Sequence, residues 1–449
     1  MYLFCQGELK SEKEIIFENT ELGRLKKILP LSSLGELLPR KRTKVGAQRR
    51  FSREGLISLL FLQAYTQLSD RKFVDHLNGN WQMQMFCGIQ LALNESIRDR
   101  NLMSRVRSYV SASLDLEEFQ KLLLTHWKPH MKDTHVGMCD ATVYESHMRY
   151  PTDVKLLWEC CEYLQGQQQR VNKRLKEKHS SKHYDKKKRD YLHYARKRRK
   201  TYRQTKEMRK NLLKVVERLK KKLQPKLDRY MLQASLQERL AMEIVFEKLR
   251  TIKEIAVQQH YLLAHPDSKI SNRIVSLYKP YVRPIVRGKE TKAVEFGAKV
   301  HMLQIDGINY IEHFSYRAFN ECTRLKLSVI KHKNLFGQCH QWSADAIYAT
   351  NKNRKYLTSK KITSNFVPKG RPKDDPEEKT IKSLLNKERS TRLEGSFGTE
   401  KNYYGLSKVK ARNQYTEKLS IYVAVMTANA VRLNRRIAKE QPSQLQQAA

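Results

Sequence analysis

Val294-Glu-Phe-Gly-Ala-Lys-Val-His-Met302, then Asp306-Gly307 and Ile308 to Phe314, decides the fold class. Val294, Phe296, Ala298, Val300 and Met302 alternate strictly with Glu295, Gly297, Lys299 and His301, the period of two that belongs to a strand. Asp-Gly is turn chemistry for a tight hairpin, so a second strand should return over Ile308 to Phe314. A sheet is therefore set into a chain that otherwise reads helical. Upstream, His135 to Val143 is short, partly β-branched and bounded by charge, which predicts a strand ending near Asp140. Downstream, the pattern predicts a helix near Glu321 to Lys333, a weaker strand into Asp345 and another over Lys361 to Val367. Glu394 falls in a predicted helix from about 386 to 403. A last helix carries Leu419, Val423, Met426, Thr427 and Ala430 on one face.

Three stretches on those elements each set a carboxylate in a weakly charged, partly apolar setting. They are Met138-Cys-Asp140-Ala-Thr142, Trp342-Ser-Ala-Asp345-Ala346 and Arg392-Leu-Glu394-Gly-Ser-Phe-Gly398. Hard divalent cations want oxygen ligands, and Mg²⁺ is held by a few carboxylates plus substrate phosphates. Asp140, Asp345 and Glu394 are thus candidate ligands and catalytic groups for two Mg²⁺ ions, with Mn²⁺ able to substitute. One ion would activate an attacking water or 3′-hydroxyl and the other would stabilise the leaving oxygen. Without cations, three clustered carboxylates would repel. Glu400 competes with Glu394 for this role; Glu394 is preferred because its surroundings carry the motif. Glu145 fits a supporting position or a plain surface one equally.

Charge identifies the partner class. The chain has 449 residues, with 88 Lys+Arg against 46 Asp+Glu and a net charge of +42. So large an excess favours a polyanion, and nucleic acid is the commonest. No apolar run approaches the ~20 residues that span a bilayer, so a membrane partner is not expected. Met1 to Lys10 lacks a basic segment followed by an apolar core, so no secretory signal is expected either. The cysteines at 5, 87, 139, 160, 161, 322 and 339 form no CxxC pair. Cys322, His332, Cys339 and His340 could meet around a metal; small buried or surface side chains in a reducing compartment is the favoured reading.

Composition divides the chain into five segments. Residues 1–130 read as a helical domain, with Leu56, Leu59, Leu60 and Ala64 at helical spacing, as are Phe73, Val74 and Leu77, and Ser69 as a cap. Short helices of this kind suit a helix-turn-helix DNA-binding unit or a dimerisation domain equally. Residues 131–155 open the sheet domain, 156–285 form a basic helical insertion, 286–440 complete the sheet domain, and 441–449 are a disordered Gln-rich tail. From Arg170 to Lys222 there are 24 Lys+Arg against 5 Asp+Glu. One continuous helix over this stretch would reach about 80 Å and set Tyr184, Tyr191 and Tyr202 on one face. Such an arm, with Lys197, Arg198, Arg199 and Lys200 at its most basic point, suits tracking a DNA backbone. A solvated charged hairpin whose tyrosines pack is the alternative. Lys369-Gly-Arg-Pro-Lys373 resembles a minor-groove hook, although a plain basic turn is favoured.

The order of the carboxylates resembles the DDE transposases of bacterial insertion sequences, in the group named for insertion sequence five. Asp140-Ala-Thr-Val-Tyr-Glu145 with Tyr150-Pro-Thr-Asp-Val-Lys-Leu156 is similar to their first-Asp region. Arg273-Ile-Val-Ser, Pro280 to Gly288 and Val294 to Lys299 are similar to their approach to the second strand. Ser343-Ala-Asp345-Ala-Ile-Tyr348 resembles the second-Asp block. Arg392 to Gly398, Lys401 and Tyr404-Gly-Leu406 resemble the Glu block, and Leu68 to Leu77 the helical N-terminal domain. The match spans most of 50 to 432. It implies an α/β, RNase H-like mixed sheet with flanking helices, in which distant carboxylates converge on two metals. It further implies cleavage at the terminal inverted repeats of an element and transfer of the exposed 3′-hydroxyls into target DNA. The site of action would be the bacterial cytoplasm, at the nucleoid, and handling two ends suggests a homodimer. Lys401 would touch a phosphate near the cut, with Arg389 and Arg392 further candidates for DNA contact. The family often places an Arg four residues before the Glu; here that position is Ser390, flanked by Arg389 and Arg392. The rival reading is a non-catalytic, basic DNA-binding protein derived from a decayed transposase.

Overall fold

The structure is a computed structural model that describes residues 12–40, 50–178, 180–286, 293–370 and 375–440. The expectations for Met1 to Lys10, for Arg371 to Lys373 of the basic turn, and for the tail from Gln441 lie outside these residues. The chain folds as two compact units, Met1–His147 with Gly297–Ala449, and Met148–Phe296.

The first unit is built on a mixed sheet. Its strands are β1 (Val136–Glu145), β3 (Val294–Ile305), β4 (Ile308–Ser315), β5 (Gln341–Ala344) and β6 (Thr363–Ser364); β2 (Pro284–Val286) pairs only with the first residues of β3. The order is β4–β3–β1–β5–β6, antiparallel among β4, β3 and β1 and parallel from β1 through β5 to β6. This is the RNase H-like arrangement expected from the carboxylate order. Asp306 and Gly307 both adopt positive φ, 47° and 77°, as the hairpin turn requires. β1 runs five residues past Asp140, to Glu145, further than its sequence suggests. Cys139, Ala141, Val143 and Tyr144 are all buried, so the strand lies at the centre of the sheet and lacks the alternation that marks half-buried ones. β6 is two residues long, shorter than the expected strand over Lys361 to Val367.

Helices close this unit. Among the described residues, eight α-helices lie between Glu12 and Trp127. They are not a separate body: the Gln414–Glu440 helix packs against four of them, Glu21–Ile28, Arg53–Thr66, Leu102–Ser113 and Leu116–Trp127, and against β4. The cause is its apolar stripe, in which Leu419, Val423, Met426 and Ala430 are all buried. Side-chain amides satisfy the outer edge of β4. Asn429 accepts from the Asn309 N–H at 3.0 Å and donates to its carbonyl at 2.7 Å. Gln120 treats Ile311 the same way, at 2.8 and 3.3 Å. At these two positions the edge strand is closed to pairing with another chain.

The second unit is helical apart from β2 and its partner residues. Its limits, 148 and 296, lie outside the stretch 156–285 marked by composition. Its main helices are Asp153–Arg174, Lys182–Arg196, Tyr202–Gln233 and Leu236–Ala264. The basic stretch is therefore not one long helix. It breaks between Arg174 and Lys182 and again at 197–201, where Thr201 caps the next helix through a reciprocal capping box with Gln204. Tyr184 and Tyr191 stack on Trp158, with ring centroids 5.5 and 4.5 Å apart. They join a core with Leu164, Leu212, Leu223 and Ile252. Tyr202, on the far side of the break, is exposed. The three tyrosines thus share no face: two belong to the core, because Trp158 offers them a flat apolar partner.

Candidate active site

Asp140 and Asp345 meet through strand register. Parallel pairing of β1 with β5 runs Met138 to Ser343 and Cys139 to Ala344. The next pair in that register is Asp140 and Asp345, at the C-terminal end of β5. Asn365 fixes that end by accepting from the Ala344 N–H at 3.1 Å and donating to its carbonyl at 2.9 Å. It also donates to Asn386 at 2.7 Å, tying the strand to the Pro376–Glu388 helix. Each aspartate is held by a local bond: Asp140 accepts from the Ala141 N–H and Asp345 from the Ala346 N–H, both at 2.7 Å.

Glu394 arrives on a π-helical segment, Arg389–Glu394, between the Pro376–Glu388 and Gly395–Tyr403 helices. The expected continuous helix therefore carries one wide turn, a feature frequent at functional sites. Within it Arg389 and Glu394, five residues apart, face each other at 2.7 Å. The same guanidinium nitrogen lies 3.7 Å from Asp140. Arg389 thus bridges the first and third carboxylates. Ser390 is exposed on the outer side of this turn. An Arg one position earlier than the family pattern reaches the carboxylates because the wide turn takes up the extra residue.

The electrostatics follow from burial. Asp140 has 16% of its side chain exposed. Burial pushes its carboxyl up to about 6; Glu321 and Asp345 nearby add to the rise, and the Ala141 N–H and Arg389 oppose it. Glu321 is a carboxylate that the sequence reading missed, and Lys299 holds it at 2.6 Å. No local signal marks it, since its approach to Asp140 depends on how the segment after β4 folds back. Glu394 and Asp345 are exposed. Glu400 is fully buried: Tyr144 donates to one oxygen and Asn309 donates to the other at 2.7 Å. Burial pushes its carboxyl up to about 7. It belongs to the interior network with Ser396 and Gln304 and does not face the aspartates' environment.

Other candidates separate by position. Arg392 is turned to the hairpin, 3.3 Å from Asp306, and to Glu388 at 2.7 Å. Lys401 lies two turns after Glu394, half-buried. In the second unit, Arg198, Arg199 and Lys200 are exposed at the helix break, with Lys197 beside them, and the Lys200 ammonium donates to the Lys197 carbonyl at 2.6 Å. Glu145 ends β1. Cys322, His332, Cys339 and His340 do not assemble. His332 packs on Trp342 and Phe336, and the Cys339 thiol meets the Gln341 carbonyl. Among the described residues, no three acidic, His or Cys side chains stand close enough to hold a metal ion in this arrangement. The donor chemistry of Asp140, Asp345 and Glu394 suits a hard divalent cation, and the Arg389 guanidinium lies between Asp140 and Glu394.

Two comparisons with known families bear on this site. Residues 10–109 match a family model described as a transposase domain (DUF772), and residues 342–430 match one described as a transposase DDE domain. The second span contains Asp345 and Glu394. No curated protein and no solved structure matches the chain. None of the described helices is long and apolar enough to cross a membrane. The two matched segments are similar to transposase domains and, on a sheet of RNase H-like order, support a DNA transposase function.

Proposed function

We propose that the chain is a transposase of the insertion sequence five group that cleaves DNA at the terminal inverted repeats of its element. It then joins the exposed 3′-hydroxyls to target DNA, acting as a homodimer at the bacterial nucleoid. What supports this reading most directly is the bridge through Arg389. It ties Asp140 to Glu394 across 254 residues of chain, with Asp345 next to Asp140 in strand register. Asp140, Asp345 and Glu394 would hold Mg²⁺ or Mn²⁺, which when bound supplies Lewis-acid activation of the attacking oxygen and stabilisation of the leaving one.

The chain's own groups do the rest. Asn365 and the Ala141 and Ala346 N–H groups fix the aspartates. Lys401 and Arg389 would meet phosphate on the Glu394 side, where a guanidinium makes strong paired hydrogen bonds. Arg198, Arg199 and Lys200 with Lys197 offer a separate exposed cationic surface for the DNA backbone. The test is a nicking and joining assay on duplexes carrying the repeats that flank the gene, with Mg²⁺ and with EDTA. Metal-dependent 3′-hydroxyls at the repeat ends are expected. Retarded duplex with no nicking in Mg²⁺ or Mn²⁺ would leave a non-catalytic DNA-binding protein instead.

A further inference from the structure

Arg389 stands where a cation between Asp140 and Glu394 would stand. Its guanidinium lies 2.7 Å from Glu394 and 3.7 Å from Asp140. Its Nε is buried without a hydrogen-bond partner, and 18% of the side chain is exposed. A buried guanidinium that leaves one donor unsatisfied pays desolvation without full return. Arg389 is therefore held here by the two carboxylates rather than by a complete set of partners of its own. The π-turn makes this possible, since it aims Arg389 and Glu394, five residues apart, at one point.

We propose that Arg389 is a built-in counter-cation that closes the carboxylate site until DNA is present. A divalent ion and the guanidinium compete for the same oxygens. A DNA phosphate offers Arg389 a paired acceptor, so the side chain exchanges carboxylates for phosphate and frees Asp140 and Glu394. Metal loading and DNA loading are thereby coupled, each raising the affinity for the other. This device confines the reactive site to the DNA complex. The inference rests on the proposed metal-holding role of Asp140 and Glu394, and adds a positioning role for Arg389.

The experiment is Mn²⁺ binding to the full chain, followed by the electron paramagnetic resonance signal of free Mn²⁺. Parent, Arg389→Gln, Arg389→Lys and the double variant Arg389→Gln with Asp140→Asn are compared, with and without duplex DNA. Thermal melts establish that each variant is folded. Without DNA, Arg389→Gln should bind Mn²⁺ roughly tenfold or more tightly than the parent, since a full positive charge has left the site. Arg389→Lys should stay near the parent, and the double variant should lose the gain. Duplex DNA should tighten Mn²⁺ binding to the parent and change Arg389→Gln much less. If the parent binds Mn²⁺ without DNA and Arg389→Gln binds no tighter, the counter-cation role is wrong while the metal site stands. If neither binds Mn²⁺ even with DNA, the metal reading and the counter-cation role fall together.

Discussion

Asp140→Asn should make the metal-free protein more stable while ending its chemistry. Burial raises the Asp140 carboxyl from 3.8 to about 6. The folded state therefore binds this proton more tightly than the unfolded chain does. Its favourable contribution is complete below about 4 and is lost as pH rises through 6. A rise of about two pH units corresponds to about 3 kcal/mol at pH 8, an upper figure because the Arg389 contact also disappears. Asparagine keeps the volume and can still accept from the Ala141 N–H, so it removes the charge without opening a cavity. Melting followed by circular dichroism in EDTA at pH 8 should show the variant roughly 5 °C higher. At pH 4 the difference should nearly vanish. Adding Mg²⁺ should raise the parent's melting temperature more than the variant's, because only the parent gains a ligand. Mg²⁺-dependent cleavage should fall by orders of magnitude. A variant that melts at or below the parent at pH 8 in EDTA would refute the burial argument.

Three further outcomes follow from separate parts of the molecule. Glu400, raised to about 7 by burial, should cost the parent stability as pH rises from about 5 to 8.5; Glu400→Gln should flatten that decline in urea titrations, and an unchanged pH profile would show that the carboxyl is not the cause. Replacing Lys197, Arg198, Arg199 and Lys200 together with Gln should flatten the slope of log K against log salt for any duplex by up to about 3.6, and an unaltered slope would mean this turn does not meet DNA. Trp158→Ala should cost the second unit about 3–5 kcal/mol, because Tyr184 and Tyr191 lose the ring they stack on; hydrogen exchange that stays slow across the Lys182–Arg196 helix would contradict this.

Much of the local structure is legible in the sequence, for a physical reason. Alternation from Val294 to Met302 and the Asp306-Gly307 turn are decided by pleat and by φ, both properties of neighbouring residues. The stripe of Leu419, Val423, Met426 and Ala430 is likewise a helical repeat that needs no partner to be seen. β1 extends beyond what its sequence suggests because a strand buried on both faces shows no alternation.

What tertiary structure alone decided is convergence and what covers each face. Strand register sets Asp140 beside Asp345, and no spacing in the chain encodes it. Periodicity could group Tyr184, Tyr191 and Tyr202, but only the fold of another helix supplies Trp158 and turns two of them inward. Glu400 and Glu394 lie six residues apart in one helical region. Burial beneath Tyr144 and Asn309 takes one into the core, while the other stays exposed beside Arg389. The wide turn that brings Arg389, rather than the residue at 390, to the carboxylates is invisible to a 3.6-residue period. Sequence therefore determined which groups this protein has for its chemistry. Only packing across the sheet decided which of them meet, because a contact between distant segments depends on backbone positions that no local pattern carries.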